Sequence, residues 1–217
     1  MKRTLLLLLT LAALSWSRPT AAQTSPSPYL THFTPEEISR ADIGAALRCS
    51  DEERQLYLLI NLARTSPRKF WDHVAKVYLD TVAPNSYIAS LEEDLTTMEP
   101  REPYHPDQRL IDAASYHAYD IGSSGITGHN SSDGTGFVAR AKRFVQCYGS
   151  FSAGECCSFG SSNAIDIVMQ LLVDEGVESH GHRNNLLSPK YTMVGLKMFF
   201  HSQYQTCCVI DHAYCSE

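Results

Sequence analysis

Two β-rich runs close the chain, residues 191–200 and 204–213, and His201-Ser202-Gln203 between them reads as the turn of a hairpin. Upstream, one short segment at 154–160 has strand character, and the remaining apolar patterns repeat at helical spacing. A hairpin that comes after a series of helices must bury one or both of its faces against them. The order therefore predicts an α+β layout, with helices packed on an antiparallel sheet.

The helices announce themselves by their ends. Ser50-Asp51-Glu52-Glu53 has the serine and the glutamate of a capping box, and Leu56, Leu59, Ile60 and Ala63 then lie on one face. That helix is expected to stop near Thr65, and Ser66-Pro67 restarts the chain with Phe70, Val74 and Val77 as its apolar stripe. Residues 81–104, broken by Pro84, Pro100 and Pro103, read as a connecting loop with a short helical piece. A strong helix comes next over 106–122, with Leu110, Ala114, His117 and Ile121 on one side and Gly122 and Gly125 as its stop. A glycine- and serine-rich loop, a short helix at 137–145 and a helix capped by Asn163 and stopped by Gly176 complete the series.

The first residues carry a different signal. Met1-Lys2-Arg3 is cationic, residues 4–14 are almost unbroken apolar, and Thr20-Ala21-Ala22 are small. This is the order of a cleaved secretory signal peptide over residues 1–22, and the apolar run is too short to span a bilayer. The chain is thus expected to be secreted or extracytoplasmic, in a periplasm or the cell exterior, and not membrane-spanning. Residues 23–49, rich in Ser, Pro and Thr at their start, are expected to form a loosely ordered leader, and 50–217 a single domain. A formal charge of -6 without a basic stripe argues against nucleic acid as a partner. Export makes disulfides permissible, and seven cysteines with no C-x-x-C unit point to bridges with at least one thiol left over.

Histidines and acids cluster in four segments: Gly128-His129-Asn130-Ser131-Ser132-Asp133-Gly134, Gly154-Glu155-Cys156, Asp174-Glu175, and Ser179-His180-Gly181-His182-Arg183. Imidazoles with carboxylates suit zinc and other divalent ions. Each also has a plainer reading: a turn histidine bonded to backbone, a surface carboxylate, or Arg183 pairing with an acid beside a helix start.

Taken in order, these segments resemble the CAP superfamily, the SCP or pathogenesis-related-1 type domain, in its bacterial branch. The resemblance runs from about Asp51 to His212 and includes Leu59-Ile60-Asn61-Leu62-Ala63-Arg64, Tyr191-Thr192-Met193-Val194-Gly195 and Cys208-Val209-Ile210-Asp211-His212-Ala213. It implies an α–β–α sandwich, a central antiparallel sheet flanked by helices. It also implies a cleft with two histidines and two acids, which by segment fall on His129, Glu155, Asp174 and His182. Glu175 competes with Asp174 for the second acid, and His117 and His180 are further binding candidates. A divalent metal, zinc foremost, is the implied cofactor, and a lipid, sterol, peptide or protein the implied ligand. The function implied is an exported binding or interaction module without established catalysis. The alternatives are a zinc-dependent hydrolase using the same cleft and a metal-free structural tetrad. Two departures stand out: Cys156 replaces the asparagine usual after Gly-Glu, and would tie the glutamate loop if bridged; and the usual tryptophan near Leu172 is missing.

Overall fold

The computed structural model describes residues 28–216, and the expected signal peptide lies outside them. Two reciprocal caps start the first long elements, α1 (Pro35–Ala41) and α2 (Asp51–Thr65). At α2, Ser50 Oγ accepts from the Glu53 N–H at 3.2 Å and the Glu53 carboxylate accepts from the Ser50 N–H at 2.8 Å, as the sequence predicts. At α1, Thr34 and Glu37 form the same box, 3.2 and 2.7 Å. Residues 28–49 are therefore not a loose leader. Leu30, Phe33 and Ala41 are buried in the main core, and Asn61 donates to the Ala41 carbonyl.

Beyond Pro67, α3 (Pro67–Phe70) passes through a π turn (Trp71–Ala75) into α4 (Lys76–Tyr78). Phe70 and Val74 are buried, but Val77 is 57% exposed. The extra residue of a π turn rotates the downstream helix by about a quarter turn, which carries Val77 off the stripe. Helix α5 (Ser86–Thr97), capped by Asn85, occupies much of the expected connecting loop and buries Leu91 and Leu95. The remaining elements are β1 (His105–Pro106), α6 (Gln108–Ser124), α7 (Phe137–Phe144), β2 (Phe151–Phe159), α8 (Ala164–Val173), α9 (Gly181–Leu186), β3 (Met193–His201) and β4 (Gln205–Cys215).

The sheet among the described residues has the order β1-β3-β4-β2. The β3–β4 hairpin and the β2–β4 ladder are antiparallel, and β1 adds a two-residue parallel edge. Strand β4 is central and covered on both sides. Its Cys207 and Val209 pack with Ala114, Ala118 and Ile121 of α6, while Cys208 and Ile210 join α2 and α8 in the main core. Covered faces on both sides explain why β4 reads as a nearly continuous apolar run. The result is the expected α–β–α sandwich.

Helix α6 meets β3 at backbone contact. A Cβ on Gly195 would lie 2.2 Å from Ile111 N, and one on Gly122 would lie 2.2 Å from the Phe200 carbonyl oxygen. Gly122 thus does not stop the helix. It lets the strand approach, and Gly125, at φ 72°, ends the helix instead.

Cys147 and Cys215 form a disulfide, whereas Cys49, Cys156, Cys157, Cys207 and Cys208 are free, more than the one leftover thiol the odd count requires. Cys156 is opposite Ile210, and Cys157 opposite Val209, so each vicinal cysteine of β2 meets its same-face counterpart of β4 only on the diagonal. Diagonal neighbours are about 7–8 Å apart, beyond normal disulfide reach. The Glu155 segment is consequently not tied by a bridge at Cys156. Among the described residues no helix is long and apolar enough to cross a membrane.

Candidate metal-binding cleft

His129 is placed by the loop that leaves α6. Asp120 of α6 accepts from both the N–H and the hydroxyl of Ser132, and an isolated bridge joins Asn130 to Gly136. Arg140, fully buried on α7, donates to the His129 carbonyl at 3.2 Å and the Ser131 hydroxyl at 3.1 Å. The same guanidinium makes a short ion pair with Glu155 of β2. Glu155 then accepts from His129 Nδ1 at 2.8 Å. Burial alone would raise the Glu155 carboxyl, but the His129 hydrogen bond and the Arg140 charge together hold it below its ordinary 4.5. The Glu155 hydrogen bond in turn raises His129 above 6.5. A carboxylate only accepts, so Nδ1 of His129 carries the proton and Nε2 keeps the lone pair.

The second pair is built by the end of α8. Asp174 takes the left-handed conformation, φ 58°, and its buried carboxylate accepts from His182 Nδ1 at 2.7 Å and from the His182 N–H at 2.9 Å. Asp174 thereby satisfies an orphan donor at the start of α9 while fixing the ring. Arg183 beside it is buried, donating to the Leu172 and Val173 carbonyls and pairing with Asp94 at 2.9 Å. Arg183 thus follows its plainer sequence reading, a buried cation paired with an acid beside a helix start.

The other candidates make neither of these two hydrogen-bonded pairs, although Glu175 lines the cavity beside Asp174 and His117 approaches Glu155. Glu175 is exposed and accepts only a long bond from Asn85, 3.4 Å. His180, at φ 48°, turns its ring against Tyr87, 5.6 Å away. His117 is fully buried beneath the loop. Its Nε2 donates to the Gly128 carbonyl at 3.0 Å and lies 3.9 Å from Glu155, and burial pushes its pKa down.

The His182–Asp174 pair opens on a cavity whose lining does not include His129 or Glu155. The cavity, of about 750 Å³, is lined by His182, Asp174 and Cys157 together with apolar groups such as Val82, Ile88 and Met169. Cys157 Sγ lies 3.8 Å from His129 Nδ1, so this half-buried thiol touches the first pair as well as lining the cavity. His117, Glu155 and Cys157 have ligand atoms within 4.8 Å of one another and could hold an ion. The described residues hold no such group that includes His129, Asp174 or His182. Arg140, Cys157 and Asp211 are the site residues that motif reading passed over.

A model of the cysteine-rich secretory protein (CAP) family matches residues 59–212. Among solved structures the chain is similar to an outer surface protein from Borrelia burgdorferi, at 17% identity and a TM-score of 0.44, over 60% of this chain and 89% of that one. It is also similar to an extracellular protein containing a SCP domain from Bacillus anthracis str. Ames, at 19% identity and a TM-score of 0.42, over 68% of this chain and 43% of the other. No curated protein matches.

Proposed function

The chain belongs to the CAP, or cysteine-rich secretory protein, family, and we propose that it is an exported binding or interaction module whose cleft holds a divalent metal through His129 and His182. One observation carries this reading. Each ring gives its Nδ1 to a carboxylate, 2.8 Å in the His129–Glu155 pair and 2.7 Å in the His182–Asp174 pair. A carboxylate on one ring nitrogen fixes the tautomer that leaves the other as a ligand, the outer-sphere arrangement of metal-bound histidines. On this reading His129 and His182 would be the ligands, with Glu155 and Asp174 orienting them. A bound ion would supply fixed positive charge at the polar end of the cleft. The apolar wall at Val82, Ile88 and Met169 suits a ligand with an apolar body, such as a lipid, a sterol or a peptide side chain.

Export rests on the residues of segment 1–22 and is supported by the Cys147–Cys215 disulfide, a bond that persists in oxidising compartments. The hydrolase alternative is weakened by Glu155 itself. Both of its oxygens are engaged, by His129 and Arg140, which leaves it poorly placed to take a proton from water.

A second reading keeps the pairs and dispenses with the ion. Asp174 has a structural task at the start of α9, and Arg140 already neutralises Glu155. Calorimetric titration of the chelator-treated protein with zinc, at neutral and mildly acidic pH, separates the two. Stoichiometric heat at neutral pH, lost in His129→Ala and His182→Ala, supports the metal reading. No heat at either pH leaves the hydrogen-bonded tetrad alone.

A further inference from the structure

We propose that the free edge of β2 at Cys157–Phe159 takes an extended peptide as a fifth strand, and that the peptide side chain opposite Ser158 is a lysine or arginine held in the acid-walled cavity beside α8. The inference rests on the binding reading of the cleft, names the ligand class, and does not depend on a metal.

Backbone pairing defines the edge. In the order β1-β3-β4-β2, strand β2 has β4 as its one neighbour. The Gly160 N–H donates to the Thr206 carbonyl at 2.9 Å, and the Ser216 N–H to the Ser150 carbonyl at 3.0 Å. Hydrogen bonds alternate along an antiparallel ladder, so the even residues of β2 bond to β4 and the odd ones turn their N–H and C=O away from the sheet. The Glu155 carbonyl is one of these, and it accepts from Asn185 Nδ2 at 3.1 Å. Beyond it, the N–H and C=O of Cys157 and Phe159 have no hydrogen-bond partner among the described residues. A row of unpaired backbone groups is a template for another strand.

The opposite side of the sheet is closed in a way that β2 is not. Where β1 ends, the Leu196 N–H donates to the Tyr57 hydroxyl at 3.1 Å and the Met198 N–H to the Glu53 carboxylate at 3.0 Å. Side chains of α2 thus fill the place of a strand beside β3. Past Asn185, β2 has no such plug, and residues 157–159 include no lysine, proline or other device that commonly guards an edge. The register with β4 runs from Phe151 to Phe159 without a bulge. Cys157 lines the cavity, so the free edge opens onto it.

Face and charge select the peptide. Residues directly opposite one another on neighbouring strands project from the same face of a sheet. Ser158 projects toward α8, its hydroxyl donating to Gln170 Oε1. A peptide residue opposite Ser158 therefore projects to the side where Met169, Gln170 and Val173 of α8 line the cavity. Asp166, Asp174 and Glu175 add three carboxylates to that lining, and no lysine or arginine among the described residues belongs to it. Glu175 accepts only the long bond from Asn85, 3.4 Å, and keeps acceptor capacity for a cation. The apolar stem of a lysine or arginine matches Val82, Ile88 and Met169, and its charged end matches the acids.

Synthetic peptides test this on the purified chain. The probe is acetyl-Thr-Val-Lys-Val-Thr-amide, titrated by calorimetry, with glutamate in place of the lysine as the comparison. The lysine peptide is expected to bind, the glutamate peptide at least about tenfold more weakly, and Glu175→Gln to narrow that preference. N-methylation is expected to matter in one phase only: at the two valines if the peptide runs antiparallel to β2, at the lysine if it runs parallel. The sensitive phase should weaken binding about fivefold or more, the worth of one net hydrogen bond, and the other should change it little. Hydrogen exchange at the Cys157 and Phe159 amides should slow in the bound protein. Equal binding by every N-methylated form, or exchange at those two amides unchanged, would overturn the strand pairing. A glutamate peptide that binds as well as the lysine one would overturn the charge assignment. No binding by any of the peptides overturns the inference, whether or not a sterol or fatty acid binds instead, and the zinc titration then judges the metal reading separately.

Discussion

Asp211 stands directly opposite Glu155 across the β2–β4 ladder, and both carboxyls are buried. One guanidinium and one imidazole serve Glu155, and no hydrogen-bond partner serves Asp211. Two adjacent acids with one set of partners divide the roles, Glu155 carrying the charge and Asp211 the proton. Burial, and then the Glu155 charge, push the Asp211 carboxyl well above its ordinary 3.8.

Asp211→Asn should therefore stabilise the protein at neutral pH. With the folded pKa raised, the unfolded chain releases its proton at lower pH than the folded one, so stability falls as pH rises above 3.8. The amide cannot ionise in either state and escapes that loss. Urea unfolding is expected to show a gain in midpoint at pH 7 that shrinks toward pH 4. A loss of equal size at both pH values would contradict the neutral assignment.

Arg140→Met should destabilise the fold by about 3–5 kcal/mol, the usual cost of leaving one buried charge unpaired. It would also release the His129 and Ser131 contacts. Adding Glu155→Gln removes the stranded charge, so the double variant is expected to lose less than the single one. Urea midpoints, with amide exchange at residues 129–131, check both statements. Equal losses in the single and double variants would show that the pair is not coupled.

His212 governs a different pH range. Its ring is fully buried, tilted at 5.0 Å from Tyr104, with neither nitrogen hydrogen-bonded. Burial, then the Arg64 charge, lower its pKa from 6.5 to about 3. A depressed imidazole costs stability as pH falls from 6.5 toward that value, because only the unfolded chain takes up the proton. His212→Phe should be near neutral at pH 8 and stabilising at pH 4. Acid titration followed by circular dichroism should place its unfolding midpoint below that of the native chain.

Gly195 and Gly160 separate two costs of a methyl group. At Gly160, φ is 89° and nothing lies within 4 Å of the added Cβ, so alanine costs only its backbone conformation, about 1–2 kcal/mol. At Gly195 the methyl meets α6 backbone at 2.2 Å. Gly195→Ala is expected to cost about 3 kcal/mol or more, or to abolish folding, through overpacking. Thermal unfolding of the two variants gives the ranking, and a larger loss at Gly160 would mean that α6 can move away from β3.

The legible parts of the fold are those where local chemistry decides. The Ser50–Glu53 box, the Asn163 cap and the hairpin closing at residues 202–204 each fix backbone within a few residues. Thr34–Glu37 is the same box as Ser50–Glu53, but a Pro- and Ser-rich stretch upstream masked it. Pairing of the cysteines depends on strand register and diagonal distances, which spacing along the chain does not encode. Of the site, His129, Glu155, Asp174 and His182 were named through the order of the segments, but which acid orients which ring is set only by the fold. Arg140 was not, because Lys142 and Arg143 look alike beside it. A weak signal existed: Arg140 is in phase with Phe137, Ala141 and Phe144, a charge on the inward stripe of α7. Asp211 and His212 gave the same sign as polar residues interrupting the apolar run of β4.

The bridge joins Cys147 to Cys215 across a sequence separation of 68, a span that includes the turns after α8, after α9 and between β3 and β4. A protease that nicks any of those turns leaves two fragments still joined by sulfur and by a shared sheet. Such damage would stay invisible on a non-reducing gel and appear as two bands once reductant is added, so a molecule cut in service could persist as a single particle.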